Sequence, residues 1–237
     1  MYTQSLPHVA LLAFIWGTNL VVSRYGVGQL GSILFTGLRL AGGGLVFIAV
    51  IAFTKREWPR DIHVWKHSIV IGAIGTALSI TAVLGSLQFQ SAGMTALLIT
   101  TTPAFVALAA HFFLPDERLT WVKSAGVALA LAGAMLVVLR GETGLPGTQG
   151  GSPIGYLLVF TNVGAETFTA IYVRRYMQGM DAFGVSSIRI VAATLLVLPF
   201  GILLQGGNVT AVTPPGLLAL LYTAVITVFV GQLLAFT

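Results

Sequence analysis

Three side chains able to carry charge stand inside apolar sequence. Arg39 lies in TGLRLAGGGLVFIAV, Arg189 in SSIRIVAATLLVLPF, and Glu166 in LLVFTNVGAETFTAIYV. A charge near the centre of a membrane helix costs about 2.5–3.5 kcal/mol on insertion scales, so such groups face a bundle interior unless they reach the interface. Each arginine therefore has two readings. Its long side chain snorkels to the nearer headgroup layer, or its guanidinium points inward and meets water and an anionic group. Glu166 sits more than two turns from either end of its run, and a carboxylate reaches less far. It is either a structural acid bonded to a neighbour such as Asn162 or a threonine, or the ligand of a substrate ammonium or a proton-coupling acid.

The surrounding chain explains why such charges matter. Of its 237 residues 56% are hydrophobic and 8% charged, and the mean hydropathy is +0.93; soluble domains run at roughly 25% charged. Too little polar surface is present to dissolve a globule, which makes this an integral membrane protein. The net charge of +5 is carried by scattered basic residues between apolar runs, the pattern of topology signals and not of a nucleic-acid surface. The absence of cysteine excludes disulfides, thiolate nucleophiles and cysteine-ligated zinc. The N-terminal MYTQSLPHVALLAFIWG lacks the basic region and cleavage site of a signal peptide, so the first apolar run is expected to be retained.

A spanning helix needs about 20 apolar residues. Runs of that kind fall near 7–25, 32–53, 67–87, 92–114, 121–139, 153–173, 182–204 and 214–236. They are continuous, unlike the alternating segments of a membrane barrel, and predict an all-α polytopic helix bundle. With the N-terminus cytoplasmic, the inner connections carry Lys55, Arg56, Arg60, Lys66, Arg118, Lys123, Arg174 and Arg175, against Arg24 and Arg140 outside. That imbalance follows the positive-inside rule.

The chain also matches itself. Gly37-Leu38-Arg39-Leu40 aligns with Ser187-Ile188-Arg189-Ile190, Leu12-Ala13-Phe14 with Leu158-Val159-Phe160, and Gly75-Thr76-Ala77-Leu78 with Tyr222-Thr223-Ala224-Val225. The unit holds five helices, an odd number, so the second copy enters from the opposite face, as in the inverted repeats of secondary transporters. The expected division is a first repeat at 1–140, a Gly/Pro-rich linker at 141–152 and a second repeat at 153–237. The linker glycines have no accompanying strand or P-loop lysine, which argues against nucleotide binding.

FIWGTNLVVSRYG, the Leu38-Arg39 pair, QSAGMTALLITTTPAFVALAAHFF and DERLTWVKSAGVALALAGAMLVVL together resemble the EamA-type transporters of the drug/metabolite transporter superfamily. Glu117-Arg118 with Gly126 and Gly133 is the most specific element, and Trp16-Gly17-Thr18-Asn19 the next. Pro115-Asp116 departs from the small residue usual before that glutamate. The resemblance implies ten helices in two inverted five-helix repeats about a central cavity, and export or exchange of small metabolites. Thr237 aligns with Gln90, so a counterpart of 91–140 lies outside the sequence; about eight of ten spans are present, and the 237 residues alone are expected to be inert.

Further candidates are weaker. The repeat counterpart of Glu166 falls at or next to Asn19. Trp16 lies mid-helix beside Gly17 and either lines a cavity or packs on it. Thr102 and Pro103, in Thr100-Thr101-Thr102-Pro103, mark either a pathway lining or a structural kink, because proline deletes a backbone bond. His63 and His67 have ligand spacing but no third ligand. Gly42 to Gly44, Gly72, Gly75, Gly126 and Gly133 suit close helix contacts. No GxSxG, HExxH or paired-aspartate motif points to catalysis, and neither a cofactor nor a metal is expected. The sequence thus reads as a secondary carrier in the cell membrane, in all expectation a bacterial inner membrane, moving small polar metabolites, amino acids or drugs by alternating access. A channel-like or structural membrane protein is the alternative, and an intramembrane enzyme is further off. Proton coupling, oligomeric state and the direction of transport stay open.

Overall fold

A computed structural model describes residues 2–141, 144–145, 152–206 and 212–231, with side chains from residue 10 onward. Eight helices among the described residues are long and apolar enough to cross a membrane. They are α1 (Tyr2–Leu30), α2 (Ser32–Thr54), α3 (Ile62–Ser86), α4 (Ala92–Phe113), α5 (Trp121–Leu139), α6 (Pro153–Tyr176), α7 (Ala182–Gln205) and α8 (Pro214–Gly231). Among the described residues there is no strand. The expected linker at 141–152 and the last residues of the eighth run, 232–236, lie largely outside the described residues.

Helix starts follow local chemistry. Asp61, Ser91, Thr120, Ser152, Asp181 and Thr213 each accept, through a side-chain oxygen, from the backbone N–H two or three residues on. That satisfies a donor the helix itself leaves orphaned. Pro153 and Pro214 open α6 and α8, where a missing N–H costs nothing. α1 and α2 differ, being joined by the single residue Gly31 at φ 77°, a conformation that favours glycine. The sequence placed the end of the first span near residue 25, whereas the helix runs on to Leu30. Gln205 supplies the cap that α2 lacks, its Oε1 accepting from Ile33 N (3.1 Å) and Leu34 N (2.9 Å).

Two compact units are present: Met1–Ala77 with Gly179–Thr237, and Leu78–Gln178. In the first, α2 packs along α7 and α8, burying Phe35, Leu40, Phe47, Ile188, Ile190 and Val228. The approach is backbone to backbone: a Cβ on Gly37 would lie 2.7 Å from Leu198 Cα, and one on Gly201 2.8 Å from Leu34 Cα. Small residues at a helix crossing allow this in lipid, where the hydrophobic effect does not hold helices together. In the second unit, Met94, Leu98, Ala134, Tyr156, Val159 and Val163 form the core under α4, α5 and α6. The expectation that Gly126 and Gly133 serve close contacts is corrected. Both face open space, since α5 leaves most of its surface exposed.

Two stretches depart from α winding. Gly72–Leu78 in α3 and Thr223–Gly231 in α8 are π-helical. The rarer π winding shifts each hydrogen bond by one residue and recurs at functional sites.

Candidate functional site

Three of the sequence-identified residues fall in two polar clusters, Asn19 and Arg39 in one unit and Glu166 in the other. In the first, α2 carries Arg39 and α1 carries Asn19 and Ser23. Arg39 is 2% exposed, and its Nη1 donates to Ser23 Oγ at 3.1 Å. The Ser23 hydroxyl donates in turn to Asn19 Oδ1 at 3.2 Å. Asn19 and Ser23 are four residues apart, one above the other on the same helix face. The guanidinium is thus turned into the unit against α1. Its Nε is buried without an acceptor, and among the described residues no carboxylate forms an ion pair with it.

Arg189 is likewise buried, at 4% exposure. It lies at a close crossing of α3 and α7: a Cβ on Gly72 would meet the Arg189 carbonyl oxygen at 2.8 Å. Any side chain at position 72 would therefore push on the backbone that carries this arginine. Trp16 is more than half exposed and borders Gly231 on α8; it does not join the Arg39 cluster. Two residues beyond it, Thr18 Oγ1 and Tyr222 Oη lie 2.6 Å apart and tie α1 to α8.

The second cluster is built around Glu166. Ser79, fully buried on α3, donates its hydroxyl to Glu166 Oε1 at 2.7 Å. Asn162, one turn before Glu166 on α6, donates its Nδ2 to Ser79 Oγ (2.8 Å) and to Ser79 O (3.2 Å). Asn162 Oδ1 is buried and has no partner. The donors of Asn162 and Ser79 are thus spent inside the cluster, and one buried acceptor, Asn162 Oδ1, is left over. A ligand that brings N–H donors, such as an ammonium, matches that surplus.

Thr102 and Pro103 stand at the break in α4. Proline at 103 removes the N–H that would have bonded the Ile99 carbonyl four residues back. The Thr102 hydroxyl takes that carbonyl instead, at 2.7 Å. Thr100 and Thr101 bond the carbonyls of Leu97 and Leu98 in the same way. The run Thr100-Thr101-Thr102 thereby makes the break self-sufficient in hydrogen bonds. On its other side Pro103 borders a cavity of about 360 Å³, whose wall also holds Glu117, Arg118, Lys123 and Arg174. Glu117 Oε2 accepts from Arg174 Nη1 at 2.7 Å, joining the α4–α5 connection to the end of α6.

Sequence reading missed Ser23, Ser79, Gln205 and Tyr222. Serine is common in apolar helices as a small residue, and only its spacing against a charge on another helix gives it a role. Ser79 does lie on the third span, in LSITAV, but nothing local pairs it with a residue on the sixth.

The EamA-like transporter family profile matches residues 6–139. The uncharacterized transporter YvbV of Bacillus subtilis is 21% identical over 99% of this chain and 75% of its own length. A probable amino-acid metabolite efflux pump of Salmonella typhimurium is 26% identical over 93% and 73%. An S-adenosylmethionine/S-adenosylhomocysteine transporter of Chlamydia muridarum is 22% identical over 87% and 66%. The chain thus spans two thirds to three quarters of the length of these relatives. A protein crystal structure superposes with TM-score 0.68 at 23% identity, over 98% of this chain and 77% of that one, which establishes the shared fold.

Proposed function

Because the chain belongs to the EamA-like transporter family and has eight helices long and apolar enough to cross a membrane among its described residues, we propose that it works as a secondary carrier. It moves small polar metabolites, amino acids or drugs outward or in exchange, by alternating access, with its N-terminus in the cytoplasm. The observation that carries this reading is Glu166, an acid inside a membrane-spanning helix, held by Ser79 with Asn162 behind it. Intramembrane acids mark ion and substrate pathways. A carboxyl that gains and loses a proton as the site changes sides couples solute movement to a proton gradient.

Two further points support it. The names of the Salmonella and Chlamydia relatives point to amino-acid metabolites and to S-adenosylmethionine as cargo, molecules of the charge and size this reading calls for. In addition, α1 to α3 and α6 to α8 read as corresponding helices of two inverted copies, and α3 and α8, each third in its copy, both contain π winding. On this reading Asn19 and Glu166 are counterparts, and so are Arg39 and Arg189.

The test is a comparison of medium metabolites from cells with and without the full-length gene. A small polar solute should accumulate outside only when the gene is present. An unchanged medium across nutrient conditions, despite protein in the membrane, counts against export.

A further inference from the structure

We propose that the Asn19–Ser23–Arg39 cluster is a carboxylate-binding site, with the Nε–Nη2 edge of Arg39 as its two-pronged donor. A guanidinium has five N–H donors and no acceptor. In Arg39, Nη1 is committed to Ser23 Oγ, and the Ser23 hydroxyl has given its own proton to Asn19 Oδ1. The relay engages the oxygens of Ser23 and Asn19 with each other and with Nη1, and leaves donors: the edge carrying Nε–H, whose nitrogen is buried with no acceptor, and the amide protons of Asn19. A full positive charge remains as well, 2% exposed and without an ion pair among the described residues.

A buried charge of that kind is strongly unfavourable until a counter-charge arrives, and here no described side chain of the unit provides one. The geometry selects among anions. Tethering Nη1 to α1 fixes the plane of the guanidinium and leaves its side edge for a ligand, which suits two coplanar oxygens at parallel N–H bonds. Chloride, a single sphere, takes both N–H groups only through bent bonds to one centre. A phosphate dianion brings a second negative charge for which the cluster holds no second cation. A carboxylate matches both charge and shape. The assignment rests on the carrier reading, in which that carboxylate belongs to the cargo.

The test uses purified full-length protein in detergent, with its melting followed by tryptophan fluorescence as sodium chloride is replaced by sodium acetate at constant sodium. Acetate should raise the melting temperature saturably. Arg39→Gln should abolish that rise while melting no lower than wild type in chloride, because it removes an uncompensated charge. Arg39→Lys, which keeps the charge and loses the fork, should need about tenfold more acetate, the loss expected for one charge-assisted hydrogen bond. Should Arg39→Gln fail to fold, Ser23→Ala carries the test: untethering the guanidinium should move half-saturation to higher acetate. An acetate response no greater than that of chloride, or the same in wild type and Arg39→Gln, overturns the site, as does an unchanged half-saturation in Ser23→Ala. Solute flux is read separately in vesicles. Flux without acetate protection removes this site and leaves the carrier reading, whereas protection without flux keeps the carboxylate site and removes the carrier reading.

Discussion

At the scale of residues, the two polar clusters are opposites in hydrogen-bond capacity. Arg39 beside Ser23 and Asn19 has a donor to spare at Nε; Asn162 beside Ser79 and Glu166 has an acceptor to spare at Oδ1. In each, a serine is the bridge, accepting from one long side chain and donating to another. Ser79→Ala should remove both bridging bonds made through the hydroxyl, leaving Asn162 only the backbone carbonyl. Such a loss in a membrane bundle amounts to about 1 kcal/mol, read as a lowered unfolding midpoint in mixed-detergent titration. An unchanged midpoint would mean that Ser79 does not hold the acid. Charged positions themselves were legible in the sequence, because Arg39, Arg189 and Glu166 stand out against apolar runs. Their serine partners were not, since a hydroxyl on one span meets a charge on another only through packing.

At the scale of elements, the break in α4 shows how a helix tolerates proline in lipid. The carbonyl of Ile99, orphaned by Pro103, is bonded by Thr102, and two further threonines repeat the arrangement. Thr102→Val should destabilise the protein by about 1 kcal/mol. Pro103→Ala restores an N–H for the same carbonyl, so in the double variant most of that loss should vanish, a coupling visible in a double-mutant cycle. Strict additivity would show that Thr102 has no such role. A second element-scale expectation concerns the α2–α7 crossing. Gly201→Leu sets a side chain against the backbone of Leu34 and should cost about 1–3 kcal/mol or more, with folding yield and melting temperature as the readout. Helix number and approximate ends were legible, because continuous apolar runs of membrane length have one reading. The π stretches were not: GAIGTAL and TAVITVFVG look like ordinary helix, and their winding arises from packing. Nor was the end of α1, which the apolar run placed near residue 25 and which the helix carries on to Leu30.

At the scale of the whole molecule, the account is that of a carrier oriented by its basic residues and coupled through one half-buried acid inside a spanning helix. With no native cysteine, single cysteines probe orientation cleanly. Positions 28, 147 and 207 should react with an impermeant thiol reagent in intact cells, and positions 58, 118 and 178 should be silent until the membrane is opened. The reverse pattern overturns the cytoplasmic N-terminus. Coupling is tested most directly by solute flux in inside-out vesicles containing the full-length protein, with labelled amino acids supplied and a proton gradient imposed or collapsed. The account predicts accumulation against the solute gradient that depends on the proton gradient, and its loss in Glu166→Gln despite normal amounts of folded protein in the membrane. Accumulation by Glu166→Gln equal to wild type and equally sensitive to the proton gradient would contradict it.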